Sequence, residues 1–176
     1  IFSNLASTLI VGVIVIFQPE LRKVLEQLGQ KKIMSALIPF DAGKEVKERF
    51  TDKTISELVK ACFDMGEVKT GALIVIEQEE KLTDYIRTGI NVDAILTSQL
   101  LINIFEHNTP LHDGAVIVRE NRIVAATCYL PLSDNMELSK QLGTRHRAGV
   151  GISEQTDSVT IIVSEETGQI GRASCR

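Results

Sequence analysis

Residues 115–128 read AVIVRENRIVAATC. Two short apolar runs, rich in β-branched residues, flank a tight polar turn at Glu120-Asn121. Each run has the length of a strand, and so short a turn between them predicts an antiparallel hairpin, Ala115 to Val118 against Ile123 to Cys128. Upstream, ALIVIE at 72–77 is a continuous apolar run, expected as a central strand buried on both faces. Downstream, Val159 to Val163 and Gln169-Ile170, turned by Glu166-Thr167-Gly168, predict a further strand pair. Helical patterns interleave with these strands. Thr54-Ile55-Ser56-Glu57 has the form of a capping box, and Ile55, Leu58, Val59, Cys62 and Phe63 then make a helical face over Thr54 to Met65 that stops at Gly66. A second helix is expected from Thr97 to Glu106, with Leu100, Leu101, Ile104 and Phe105 inward. Hairpins among helices exclude a purely parallel sheet. The expected fold is α/β: a single globular domain with a mixed, twisted central sheet and helices on both faces.

That domain is placed at residues 51–170. Phe40 to Lys53 is polar and charged, a linker at the domain's edge. Before it, Leu21, Val24, Leu25 and Leu28 make the stripe of an amphipathic connector helix within residues 18–50. Residues 1–17, IFSNLASTLIVGVIVIF, carry no charge and are apolar nearly all round from Thr8 onward. A surface helix would show a polar face there, so the segment reads as the end of a truncated membrane anchor at the short edge of a bilayer span. It has neither the charged start nor the cleavage site of a signal peptide. Residues 171–176, GRASCR, break the preceding strand pattern and read as a tail, disordered or foreign to the natural chain.

The chain has 176 residues, a formal net charge of -4 and no long basic run, which excludes a surface that tracks a nucleic-acid backbone. Its three cysteines, Cys62, Cys128 and Cys175, are odd in number and share no short spacing. That argues against a disulfide framework and a thiolate zinc site, and favours a reducing cytoplasm. Cys62 and Cys128 lie in apolar patterns and are expected as small buried hydrophobes.

Two polar clusters lie at expected strand and helix ends, where a rigid sheet commonly holds functional groups. In Asn108-Thr109-Pro110-Leu111-His112-Asp113-Gly114-Ala115, a loop stiffened by proline delivers His112 and Asp113 to the mouth of a buried strand, while Gly114 and Ala115 let a ligand approach the backbone. A carboxylate beside an imidazole can hold a divalent cation, and it can equally close an Asx turn. The second cluster is Gly143-Thr144-Arg145-His146-Arg147-Ala148-Gly149. With Thr144 as the cap of a helix opening at Arg145, it is either an anion site of backbone N–H groups and two guanidiniums or a solvated basic turn. Ser164-Glu165-Glu166 is, by itself, a polar turn. His107, at a helix C-terminus, reads as structural. Absent motifs prune the alternatives: there is no G-x-x-x-x-G-K-[ST], no G-x-S-x-G and no H-E-x-x-H, and Gly149-Val150-Gly151 is too short for a dinucleotide fingerprint.

In their order and separation, Asp113-Gly114-Ala115 and Gly143 to Arg147 closely resemble the DGA and RHR motifs of the diadenylate cyclase domain family. The likeness covers about residues 70–170, taking in GALIVIE, NTPLHDGAVIV and the stretch from GISE to VSEETG. FQPELRKVLEQLG at 17–29, after an apolar segment, is similar to the membrane-anchored subtype rather than the DNA-scanning one. Gly149 departs from the family, where alanine is expected, and so should loosen its helix.

The resemblance implies the diadenylate cyclase fold and a nucleotidyltransferase that condenses two ATP into cyclic di-3',5'-AMP and two pyrophosphates. Catalysis would occur at the interface of a face-to-face homodimer, with Mn²⁺ or Mg²⁺ as cofactor. The implied catalytic residues are Asp113, Gly114, Ala115, Arg145, His146 and Arg147. ATP would meet Gly114 and Ala115, with adenine on Tyr129 and Leu130 and the triphosphate on Gly143, Thr144, Arg145, His146, Arg147 and Ser164. The metal would take Asp113, His112 and Glu166, the last two from opposite subunits if need be. It further implies anchoring at the bacterial cell membrane, the catalytic domain on the cytoplasmic side, a membrane-associated regulator as partner and no nucleic acid. The competing reading is a non-catalytic, membrane-anchored nucleotide sensor.

Overall fold

The first helix of the described domain, α1 (Asp52–Glu67), begins two residues before the sequence pattern places it. Its cap is Thr51, whose hydroxyl accepts the Thr54 N–H at 3.3 Å. The expected capping box does not form, because both of its members are used elsewhere. The Thr54 hydroxyl donates to Asn121 Oδ1 in the hairpin turn at 2.7 Å, and the Glu57 carboxylate accepts the Ser98 N–H at 2.7 Å. That backbone N–H, with the Ser98 hydroxyl, holds the Glu57 carboxyl below its ordinary value. A local motif has become two long-range ties.

A computed structural model describes residues 50–135, 138–139 and 142–174, together with Gln18. The expected anchor at 1–17, nearly all of the connector at 18–50 and the last two residues lie outside them. The chain falls into two units, Ile1–Val46 and Lys47–Arg176, and the second contains the elements described here. After α1 come β1 (Ala72–Ile76), the short α2 (Thr83–Ile86), β2 (Ile90–Ile95), α3 (Ser98–Phe105), β3 (Ala115–Arg119), β4 (Arg122–Cys128), α4 (Thr144–Gln155), β5 (Val159–Val163) and β6 (Ile170–Ser174).

The strands form a six-stranded sheet in the order β2-β4-β3-β1-β5-β6. β1 and β3 are parallel and the other neighbours antiparallel, so the sheet is mixed, as the hairpins require. Successive residues of β1 serve opposite faces: Ala72 and Ile74 join Leu58, Cys62 and Met65 of α1 and Leu101, Ile104 and Phe105 of α3, while Leu73 and Val75 join Ala148 and Ile152 of α4. Each such fully buried aliphatic side chain contributes about 1.5–3 kcal/mol. Cys62 and Cys128 are buried, and burial pushes both thiols up to about 11.

Two elements carry no usable pattern in the sequence. α2 spans a single turn, and β2 is an exposed edge strand whose register shifts between Asn91 and Ala94. The expectation that residues 171–176 form a tail is corrected for Gly171–Ser174, which pair with β5 from Ser174↔Val159 to Gly171↔Ile162. A ladder at a sheet edge is made by backbone groups, so small and charged side chains do not prevent it.

One buried carboxylate fixes how β1 leaves the sheet. Glu77 is held by Arg119 Nε and Nη2 at 2.7 and 2.8 Å, by Lys81 Nζ at 3.0 Å and by the Leu82 N–H at 3.0 Å. Burial raises its carboxyl pKa, but Arg119, the Leu82 N–H and Lys81 outweigh burial and hold it below 4.5. A depressed carboxylate adds stability above its unfolded pKa, and that contribution is lost as pH falls through the folded one. Glu77→Gln should therefore lower the melting temperature by about 5–10 °C at pH 7, from a loss of ~2 kcal/mol with Arg119 partly solvated. Below about pH 4 the gap to wild type should close. Melting curves from pH 7 to 3 test this, and a gap that stays constant with pH would refute it.

Candidate active site

The topology gathers both sequence clusters at one end of the sheet. β3 runs parallel to β1, whereas β4 and β5 run antiparallel to their neighbours, so the starts of β1 and β3 lie level with the ends of β4 and β5. Gly71, Asp113-Gly114-Ala115, Tyr129 and Ser164-Glu165 therefore share that edge.

The loop before β3 is locked by its own hydrogen bonds. His112 Nδ1 lies 2.6 Å from the Thr109 carbonyl oxygen. A carbonyl can only accept, so Nδ1 carries the proton of this bond, and the ring nitrogen left to meet a ligand is Nε2. The His107 and His112 rings meet edge to face at 6.3 Å. Asp113 is exposed, and its carboxylate has no hydrogen-bond or ion-pair partner among the described residues. Gly114 has φ +131°, and a Cβ there would lie 2.7 Å from the backbone of Thr127. Thr127 itself has φ 59° and is the extra residue where the β3–β4 register shifts between Ala115 and Ile117. A bulge in β4 is thus pressed against the Asp-Gly-Ala turn, which leaves room only for glycine.

The second cluster opens α4, but its cap is Gly143, not Thr144, and no side chain caps it. Thr144 occupies the first helical turn, whose early N–H groups have no partner within the helix. The Arg145 guanidinium pairs with Glu165, which lies in the turn after β5, and both rest over Gly71, where a Cβ would come within 2.8 Å of each. Arg147 faces elsewhere: its Nη2 donates to the Ser133 carbonyl at 2.8 Å. Gly149 lies buried within α4. Its missing side chain lets α4 sit close on β5, since a Cβ would lie 2.7 Å from Ile162 Cδ1.

Tyr129 is 69% exposed and hence no core residue, while Leu130 packs partly against the α4 face of the core. The Thr88 hydroxyl fixes their backbone, accepting the Tyr129 N–H at 2.9 Å while donating to the Tyr85 carbonyl at 2.6 Å. Ser164 Oγ accepts the Thr167 N–H at 3.2 Å, which leaves its proton available. Among the described residues no three His, Cys, Asp or Glu side chains gather as a metal site. The expected metal residues His112, Asp113 and Glu166 are not among such a group. β1 stands between β3 and β5, so the strands beside which Asp113 and Glu166 lie are about 10 Å apart, two strand spacings. Thr88 and Ser133 carry no signal in the sequence, while Glu165 and Gly71 lie in stretches that the sequence marks without giving either residue a role.

Residues 59–174 match the family described as DisA bacterial checkpoint controller nucleotide-binding, DAC. The chain belongs to the DAC family. It is 55% identical over 162 residues to the cyclic di-AMP synthase CdaA of Bacillus subtilis, an alignment covering 92% of this chain and 57% of that protein. It is 52% identical over 159 residues to the diadenylate cyclase of Listeria monocytogenes, covering 90% and 56%. This DAC-family chain thus spans little more than half the length of these curated relatives. Its fold matches the crystal structure of a double mutant of DacA from Staphylococcus aureus with a TM-score of 0.69 and 53% identity, over 69% of this chain and 81% of that one. A hypothetical membrane spanning protein from Bacillus cereus matches with a TM-score of 0.67 and 45% identity, over 69% and 60%.

Proposed function

We propose that this DAC-family domain condenses two ATP molecules into cyclic di-AMP and two pyrophosphates. The observation that carries the reading is the convergence, on one sheet edge, of an unpartnered carboxylate at Asp113, a side-chain-free helix N-terminus at Gly143 and the Ser164 turn. Each ribose 3'-hydroxyl attacks the α-phosphorus of the other ATP, a P–O bond forms, the bond to pyrophosphate breaks, and the hydroxyl proton is lost. Asp113 receives that proton. The first-turn N–H groups of α4, Arg145 and Ser164 hold the triphosphate, so that catalysis is mainly alignment and charge stabilisation. Tyr129 and Leu130 support adenine.

A carboxylate beside an imidazole with a free Nε2 is a donor set suited to Mn²⁺ or Mg²⁺. Asp113 and His112 would hold the ion, with Glu166 of a second copy and phosphate oxygens completing its shell. When bound it would lower the hydroxyl's pKa and offset phosphoryl charge. The product is symmetric and each chain carries one copy of each motif, so two chains face each other in catalysis. Residues 1–17 fit an anchor holding the domain at the cytoplasmic face of the cell membrane. Among the described residues no helix is long and apolar enough to cross a membrane.

Incubation with ATP and Mn²⁺ over a range of protein concentrations tests the reading. The expected products are cyclic di-AMP and pyrophosphate, with specific activity rising through a dimerisation midpoint. ATP bound one per chain, with no pyrophosphate released at any concentration, would identify a sensor instead. A flat activity profile in a monomeric sample would remove the facing pair.

A further inference from the structure

We propose that Arg147 is a positioning residue for adenine rather than a phosphate ligand, acting through the segment that follows β4. The inference rests on the cyclase reading above, with the base lying against Tyr129 and Leu130. Arg145 and Arg147 are two positions apart on a helix, so their side chains leave it about 200° apart and do not converge on one ligand. Arg145 lies with Glu165 over Gly71, at the sheet edge. Arg147 is committed to Ser133: its Nη2 donates to the Ser133 carbonyl at 2.8 Å, and its own carbonyl accepts the Ser133 N–H at 3.0 Å.

The tie extends along one face of α4. Arg147, Gly151 and Glu154 stand at i, i+4 and i+7, a single helical stripe. At Gly151 the helix comes so near the segment that a Cβ would lie 2.2 Å from the Pro131 carbonyl oxygen. Glu154 Oε1 accepts the Ser133 hydroxyl at 2.8 Å, and Ser133 Oγ in turn accepts the Asn135 N–H at 3.2 Å. Ser133 is 1% exposed, so this is a built anchor and not a passing surface contact. It sits three residues beyond Leu130, at the far end of the stretch that carries the base platform. The Thr88 hydroxyl holds the near end through the Tyr129 N–H. Between these two ties the backbone at Leu130 is fixed, and a fixed backbone edge is what distinguishes one purine from another.

The test compares affinities for ATP and GTP in the wild-type chain, Arg147→Ala and Arg147→Met by titration calorimetry, with melting curves to show that each is folded. Arg147→Ala should weaken ATP by about tenfold, ~1.4 kcal/mol, while GTP changes much less, so the preference for ATP falls. A phosphate ligand, or a merely structural residue, would weaken both nucleotides by the same factor. An unchanged preference therefore overturns the proposal. Should Arg147→Ala not fold, Arg147→Met carries the same comparison, since it keeps the apolar stem and loses only the guanidinium that donates to the Ser133 carbonyl. A wild-type chain that binds ATP no better than GTP fails the cyclase reading itself, and this one with it, before any variant is compared.

Discussion

Asp113→Asn should reduce cyclic di-AMP formation by at least about a thousandfold while leaving ATP affinity within about tenfold. The side chain is exposed at the mouth of β3, and among the described residues nothing in the fold uses its carboxylate. An amide of the same size can replace it without cost to packing, so the melting temperature should stay within about 2 °C. What the amide cannot do is take up a proton from a ribose hydroxyl or present a full negative charge to a divalent cation. A general base alone contributes about a hundredfold to ten-thousandfold, and loss of an anionic metal donor adds to that. Steady-state rates, ATP titration and a melting curve on the same preparation separate the alternatives. Loss of binding along with turnover would mean that Asp113 holds the nucleotide rather than activating it; a fallen melting temperature would mean that the loop needs the carboxylate for its shape.

How much of this was legible beforehand follows from the range of the interactions. The hairpin, β1 and the mixed sheet were readable because period and turn chemistry are local, and the observed β3 and β4 lie within about a residue of the expected runs. β2 was not, because its alternation INVDAI is broken by a bulge and most of its side chains face solvent. β6 was misread at Gly171–Ser174 because its stability comes from backbone pairing, which side-chain pattern does not record. The motif residues could be named from the sequence alone, but their partners could not. Arg145 meets Glu165 twenty positions on, Arg147 meets Ser133 fourteen positions back, and Tyr129 meets Thr88 forty-one positions back. Thr54 and Glu57 show the converse, a local signature whose two side chains are drawn into contacts from other elements.

Gly114→Ala should be severely damaging for a single added methyl group. The glycine's φ of +131° is a conformation that an L side chain rarely adopts, and the added Cβ would sit 2.7 Å from Thr127 C and Cα and 3.1 Å from the Cys128 nitrogen. These are backbone atoms of a neighbouring strand, so no rotamer change relieves the overlap. Either β4 gives up its bulge or the Asp-Gly-Ala turn moves. Backbone strain and overpacking of this kind each cost about 1–3 kcal/mol, enough together to lower the melting temperature by roughly 10 °C or more. The activity should fall further than the stability, because a displacement of ~1 Å at a group that aligns reactants can cost about a hundredfold. Gly143→Ala is the matched control. A Cβ there meets nothing within 4 Å and its φ is -67°, so the change should cost no more than about 1 kcal/mol through the weaker helix cap. Melting curves, and turnover measured well below the melting temperature of each variant, give the comparison. Wild-type behaviour of Gly114→Ala would show that the bulge at Thr127 yields freely, and the close approach of β4 would then not be what shapes the site.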